Sequence, residues 1–312
     1  MRLLAVGDVC GVSGCEEIRR RLPKIKREKG IDVCIVNGEN SAEGNGITPY
    51  SADFLFACGA DIITGGNHSL RRKEVFPLLD SNEFLLRPDN LADAEYGKGY
   101  CLADFGSFSV AVINLSGKIY LEKLNAENPF LRADELIERA KNDGANIIAV
   151  DFHAEATSEK RALGIYLDGR ISAFFGTHTH VQTADEQILP HGTGYITDLG
   201  MTGPKNSVLG VKSEIIINRL KSNDFSKFEA ADGECILNAC IFDIDKNTFK
   251  RQYKKLLRHL NYFYLEHKII CTGLFVILIG IPFSSYNFVS ILLNLLISFV
   301  TILMLFIFSA IL

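Results

Sequence analysis

Short apolar runs rich in β-branched residues alternate with stretches of helical periodicity, the pattern of an α/β domain built around a layered sheet. Leu3 to Gly7 predicts a first strand, followed after a Gly-rich turn by a basic amphipathic helix from about Glu16 to Glu28. Val33 to Asn37 predicts the second strand. Thr48-Pro49 reads as an N-cap and first-turn proline opening a helix toward Cys58, closed by Gly59. Ile62 to Thr64 is a third short strand. Tyr100 to Leu102 and Phe108 to Leu115 suggest a hairpin, Arg132 to Lys141 a helix, and Ile147 to Phe152, Ile171 to Phe175 and Tyr195 to Thr197 further strands. Phe228 to Ala231 and Cys235 to Asp243 read as an antiparallel pair turned by Asp232-Gly233. No internal repeat or low-complexity linker divides this part, which predicts one catalytic domain over residues 1–249.

The pattern then changes. Ile269 to Leu312 is 44 residues without Asp, Glu, Lys or Arg, and 32 of them are apolar. Val289 to Leu312, an uncharged run of 24, is long enough to cross a bilayer as a helix; Ile269 to Phe283 is shorter, and Pro282 and Ser284-Ser285 break the two apart. Neither shows the polar face of a soluble helix. The expectation is a membrane anchor over 269–312, as a helical hairpin or as one span with an interfacial segment. A linker over 250–268, with six Lys or Arg against Glu266 alone, keeps the catalytic body on the cytoplasmic side.

All 70 charges fall in the first 268 residues. With the basic linker set aside, residues 1–249 carry about −9, which argues against binding a nucleic-acid duplex through its phosphates. Eight cysteines without a CxxC pair read as reduced, mostly buried thiols of a cytoplasmic protein. The apolar start meets Asp8 too early to form a secretory h-region.

The polar residues that interrupt this pattern fall at strand ends. Asp8 ends LLAVGD, Glu39 and Asn40 end VCIVNGEN, Asn67 and His68 end DIITGGNH, His153 ends IIAVDFH, and His178 and His180 end ISAFFGTHTH. Ligand sites of α/β sheets lie beyond the carboxyl ends of the strands, so these tips can converge on one crevice. Gly7, Gly38, Gly65, Gly66 and Gly176 precede them and suit tight turns. Taken in a strand, His178 and His180 face the same way. Each residue alone has an ordinary reading as a turn or cap; their conjunction at successive tips predicts a metal site.

Mixed nitrogen and oxygen donors without thiolate favour Mn, Fe, Zn or Co over Mg or Ca. Seven ligands suit two ions about 4 Å apart sharing a bridging carboxylate, the arrangement used in phosphoester hydrolysis, where a bound water becomes hydroxide near neutral pH. A remaining imidazole can protonate the leaving oxygen. Thr157, Ser158, Arg161 and Arg170 flank His153 in sequence and read as a solvated helix face; His191, His259 and His267 read as surface histidines.

In order, Gly7-Asp8, Gly38-Glu39-Asn40, Gly66-Asn67-His68, His153 and Gly176 to His180 resemble the metal motifs of the calcineurin-like metallophosphoesterases. More narrowly, DFHAEATSEK, GTHTHVQTAD and YITDLGMTGP are similar to the YmdB-type cyclic-nucleotide phosphodiesterases, from Met1 to about Asp245. Cys10 stands where the wider superfamily has a second ligand, a His, and Glu39 where it has Asp; the YmdB type shares both departures. The resemblance implies an α/β/β/α sandwich holding two iron or manganese ions. It implies that Asp8, Glu39, Asn40 and His180 hold one ion, that Glu39, Asn67, His153 and His178 hold the other with Glu39 bridging, and that His68 is the general acid. It further implies 2',3'-cyclic nucleotides as substrates, with 3',5'-cyclic nucleotides in second place, and a homo-oligomer. The tail lies outside it. A phosphomonoesterase and a metal- or nucleotide-binding regulator remain open on the same residues.

Overall fold

The structure, a computed structural model, describes residues 1–222 and 226–245. Strand β1 (Arg2–Val6) leads through Gly7 to the short β2 (Asp8–Val9), followed by α1 (Gly11–Lys29), β3 (Val33–Asn37), α2 (Pro49–Ala57), β4 (Ile62–Thr64) and α3 (Phe76–Ser81). The middle of the chain gives β5 (Tyr100–Asp104), β6 (Ser109–Ser116), α4 (Pro129–Asn142), β7 (Ile147–His153), α5 (Thr157–Tyr166) and β8 (Ala173–Thr177). It closes with β9 (Gln187–Ile188), β10 (Gly194–Ile196), β11 (Met201–Pro204), α6 (Ser213–Ser222), β12 (Cys235–Ile236) and β13 (Ala239–Asp243).

Two mixed sheets carry the fold. One has the order β13-β1-β3-β4, with β1, β3 and β4 parallel and β13 antiparallel at the edge. The other runs β5-β6-β7-β8-β10-β9, parallel through its centre with antiparallel strands at both edges. Alternation along β1 shows how they stack: Leu3 and Ala5 join a cluster with Val110, Val112, Ile147 and Ala149 of the other sheet, whereas Leu4 and Val6 pack with Ile18 and Leu22 of α1. On the far side, Ala111, Ile113 and Val150 pack against Leu136 of α4 and Leu163 of α5. Three apolar clusters thus alternate with helices and sheets in the expected α/β/β/α order.

Local chemistry explains the element ends. The Thr48 hydroxyl accepts from the Ser51 N–H at 3.1 Å while Ser51 Oγ accepts from the Thr48 N–H at 3.0 Å, a reciprocal cap with Pro49 in the first turn. Helix α1 begins at Gly11, five residues before the periodicity predicted, because the Gly-rich turn is itself helical.

The predicted hairpin through Asp232-Gly233 does not form. The chain bends at Gly233, where φ is 107°, but Ala230 makes only an isolated bridge to Val211. The stretch 235–243 is two strands in different sheets: β12 pairs with β11, and β13 with β1. Between them the Asn238 carbonyl accepts from the Gly7 N–H at 3.0 Å. The apolar alternation marked extended chain correctly but carried no information on its partner.

The seven cysteines among the described residues are free thiols, and Cys10, Cys15, Cys34 and Cys101 are buried. The expected linker over 250–268 and apolar segment over 269–312, with Cys271, His259 and His267, lie outside the described residues. Among those described, no helix is long and apolar enough to cross a membrane.

Candidate metal centre

The carboxyl ends of β1, β3 and β4 in one sheet and of β7 and β8 in the other open onto the same crevice, and all eight predicted site residues stand there. His153 is the hub. Its Nε2 lies 3.3 Å from Glu39 Oε1, 2.8 Å from Asn67 Oδ1 and 3.0 Å from His178 Nδ1. Beside this group, His180 Nε2 lies 3.7 Å from Asp8 Oδ1 and 3.3 Å from Asn40 Nδ2, and the Asn40 amide donates to Glu39 Oε1 at 2.9 Å. Glu39 touches both groups. Its other oxygen accepts the His68 N–H at 2.9 Å, which fixes the loop that carries His68.

The His178–His180 pair reaches the crevice by a different route from the one expected. Strand β8 ends at Thr177, and both histidines adopt left-handed backbone, φ 101° at His178 and 65° at His180. Left-handed non-glycine residues are uncommon and concentrate at functional sites. The five glycines at the strand tips also act differently from the prediction. None has positive φ; they permit close approach. A Cβ on Gly66 would overlap Glu39 Oε2 and His153 Nε2, and one on Gly7 would overlap the Gly200 carbonyl.

The electrostatics describe a site made for cations. Asp8 and Glu39 are buried, at 0% and 1% exposure, and Asp8 Oδ1 has no hydrogen-bond donor. Burial drives the Asp8 carboxyl above its ordinary value despite the nearby His180 and His153. Burial also opposes ionisation of Glu39, but the charge and hydrogen bond of His153 hold it well below the carboxylate range. His153, penalised by burial, is nevertheless raised above the imidazole range by Glu39 and Asp8. Burial and the adjoining His153 push His178 down to about 3. Two buried carboxylates with an orphaned oxygen, the Asn67 amide oxygen and the imidazoles form a donor set that fits metal ions. Glu39, His153 and His178 each offer a donor atom within 4.8 Å of the others.

Sequence reasoning missed the support beneath this layer. Buried Asp151 accepts from Thr64 Oγ1 at 2.5 Å, Thr177 Oγ1 at 2.7 Å and Asn37 Nδ2 at 3.1 Å, and the same Thr177 hydroxyl meets His153 Nδ1 at 2.9 Å. This network fixes which face of His153 points at the crevice. Asp151 sits two residues before His153, on the same face of β7, which was the available signal. Glu155 Oε2 lies 3.0 Å from His178 Nε2 in the same way. Arg161 stacks over the Tyr195 ring at 4.9 Å, Arg170 pairs with Asp134 at 2.6 Å, and His191 is exposed; none of the three is part of the cluster.

Above the cluster lies an open cleft of about 1370 Å³. His68, Asn45 and Arg71 line one side of it and Tyr50, Leu209 and Phe228 supply exposed apolar surface. His68 Nε2 lies 3.3 Å from Asn45 Nδ2 and 3.2 Å from Asn67 Nδ2.

Comparisons with known proteins agree with this geometry. A family model described as "YmdB-like protein" matches residues 4–256. A Bacillus subtilis protein named 2',3'-cyclic-nucleotide 2'-phosphodiesterase is 47% identical over 250 residues, covering 80% of this chain and 94% of that protein. The crystal structure of a phosphatase from Mycoplasma pneumoniae superposes with a TM-score of 0.75 at 35% identity, over 80% of this chain and 89% of that one. A hypothetical protein from Thermus thermophilus gives 0.71 at 36% identity, over 77% and 98%.

Proposed function

The chain belongs to the YmdB-like family, and from that premise we propose that it is a metal-dependent phosphodiesterase that hydrolyses cyclic nucleotides, 2',3'-cyclic nucleotides first among them. The observation that carries the reading is Glu39, whose carboxylate touches both the His153–Asn67–His178 group and, through Asn40, the His180–Asp8 group. We assign Asp8, Asn40 and His180 to one ion, Asn67, His153 and His178 to a second, and Glu39 to both. Iron or manganese suits these nitrogen and oxygen donors. When bound, such ions supply positive charge to the phosphoryl oxygens and lower the pKa of water.

The chain's own residues supply the rest. His68 is the proton donor: its N–H is anchored on Glu39 while its ring faces the cleft beside Asn45. Burial pushes the His68 ring below the ordinary imidazole value, which makes its protonated form a stronger acid. As water adds to phosphorus, releasing one proton to solvent, and the ester P–O bond breaks, the protonated His68 ring gives a proton to the departing oxygen and is re-protonated from solvent. Tyr50 and Phe228 offer apolar faces for a base.

Relative turnover of the manganese-loaded full chain on 2',3'-cyclic AMP and on AMP tests the assignment. Preference for the cyclic diester supports it; phosphate release from AMP alone makes the protein a monoesterase. For residues 269–312 we propose a membrane anchor, with the basic 250–268 stretch and the catalytic body on the cytoplasmic side. Extraction of the full chain from cell membranes by detergent but not by high salt is the result expected; release by salt would contradict it.

A further inference from the structure

The motifs DFHAEATSEK and YITDLGMTGP contain residues that the catalytic reading leaves unused, Lys160 and Asp198 among them. Both are buried, at 0% and 1% exposure, and Lys160 Nζ lies 2.5 Å from Asp198 Oδ2. A buried ion pair far from solvent costs desolvation that its own attraction barely repays, so its remaining contacts show what it does. Asp198 Oδ2 also accepts the Thr179 hydroxyl at 2.8 Å and the Thr179 N–H at 3.2 Å. Asp198 Oδ1 accepts the Gly200 N–H at 2.7 Å. The Gly200 carbonyl in turn accepts the Asp8 N–H at 3.1 Å, next to the pairing of Met201 with Asp8.

One carboxylate therefore joins the two halves of the cluster. Through Thr179 it grips the residue between His178 and His180, both held in left-handed backbone. Through Gly200 it grips the strand that places Asp8. Lys160 approaches from α5, its stem passing so close to Gly176 that a Cβ there would meet Lys160 Cδ at 2.9 Å. We propose that Asp198, charge-balanced by Lys160, is the positioning residue that sets His178 and His180 against Asp8 at the spacing the metal requires. The inference rests on the metal assignment above.

Three variants of the full chain test it: Thr179→Val, Thr179→Ser, and the double change Lys160→Met with Asp198→Asn. The double change removes both charges together, which spares the fold the penalty of one unpaired buried charge. Manganese affinity is measured by titration against a chelator, and thermal stability separately in EDTA. The expected result is manganese binding weakened roughly 10–100-fold in Thr179→Val and in the double variant, the range typical of groups that orient metal ligands. Thr179→Val should remain folded in EDTA, its melting temperature lowered only by the loss of one hydrogen bond to a buried carboxylate, and Thr179→Ser should restore binding. Wild-type affinity in a folded Thr179→Val overturns the inference and leaves the metal site standing; Thr179→Val answers alone if the double variant fails to fold. A wild-type chain that takes up no manganese overturns the metal site and this inference with it.

Discussion

The backbone N–H of His178 donates to Asp8 Oδ2 at 3.1 Å across 170 residues of sequence. Asp8 follows β1 of the four-stranded sheet and His178 follows β8 of the six-stranded one, so this bond exists only when the two sheets are packed face to face. The cluster is a product of tertiary packing, and its energetics follow from what that packing buries.

Asp8 brings into the interior a carboxylate with one oxygen satisfied and one orphaned. Asp8→Asn keeps an acceptor for the His178 N–H and removes a charge that is costly to bury without a cation. Its melting temperature in EDTA should equal or exceed that of the wild type, while the gain in melting temperature on adding manganese should shrink. A variant that melts lower in EDTA and keeps the full manganese gain would contradict this account.

Gly66 passes directly over the cluster. Alanine there would push its methyl into Glu39 Oε2 and His153 Nε2, two groups we assign to metal, at a position whose φ is not positive. Gly66→Ala should lose most of its bound metal by elemental analysis. An alanine variant with wild-type metal content would show that the loop gives way and that close approach is not why glycine stands there.

Asp185 ends the loop that carries the histidines. Burial opposes its ionisation, but the hydrogen bonds donated by Thr197 and Thr183 together outweigh it and hold the carboxyl below the ordinary value. A carboxyl lowered in the folded state contributes stability that is complete above its unfolded pKa and is lost as pH falls through the folded one. Asp185→Asn should therefore lower the melting temperature at pH 7, with the gap to wild type closing below about pH 4. A gap that stays constant across that range would contradict the assignment.

The sequence made the site more legible than the frame around it. Strand ends carry a strong local signature, an apolar run stopped by Asp, Glu, Asn or His, so the eight residues it picks out stand close together in the structure although they come from two sheets. The Thr48-Pro49 start of α2 was equally local. What failed depended on partners. The Asp232-Gly233 turn predicted a hairpin, but β12 and β13 join different sheets, a choice made by β11 and β1. Strand periodicity brought His178 and His180 to one side for the wrong reason, since their geometry comes from left-handed backbone gripped through Thr179. Lys160 and Asp198 were invisible because a buried Lys and a surface Lys look alike until the fold places them.

The most direct test of the central claim is bound metal and 2',3'-cyclic AMP turnover measured together on the full chain, Glu39→Ala and His68→Ala. The account predicts near two metal ions per wild-type chain, loss of both metal and turnover in Glu39→Ala, and retained metal with turnover reduced roughly 10²–10⁴-fold in His68→Ala. Full metal content in Glu39→Ala, or wild-type turnover in His68→Ala, would contradict it.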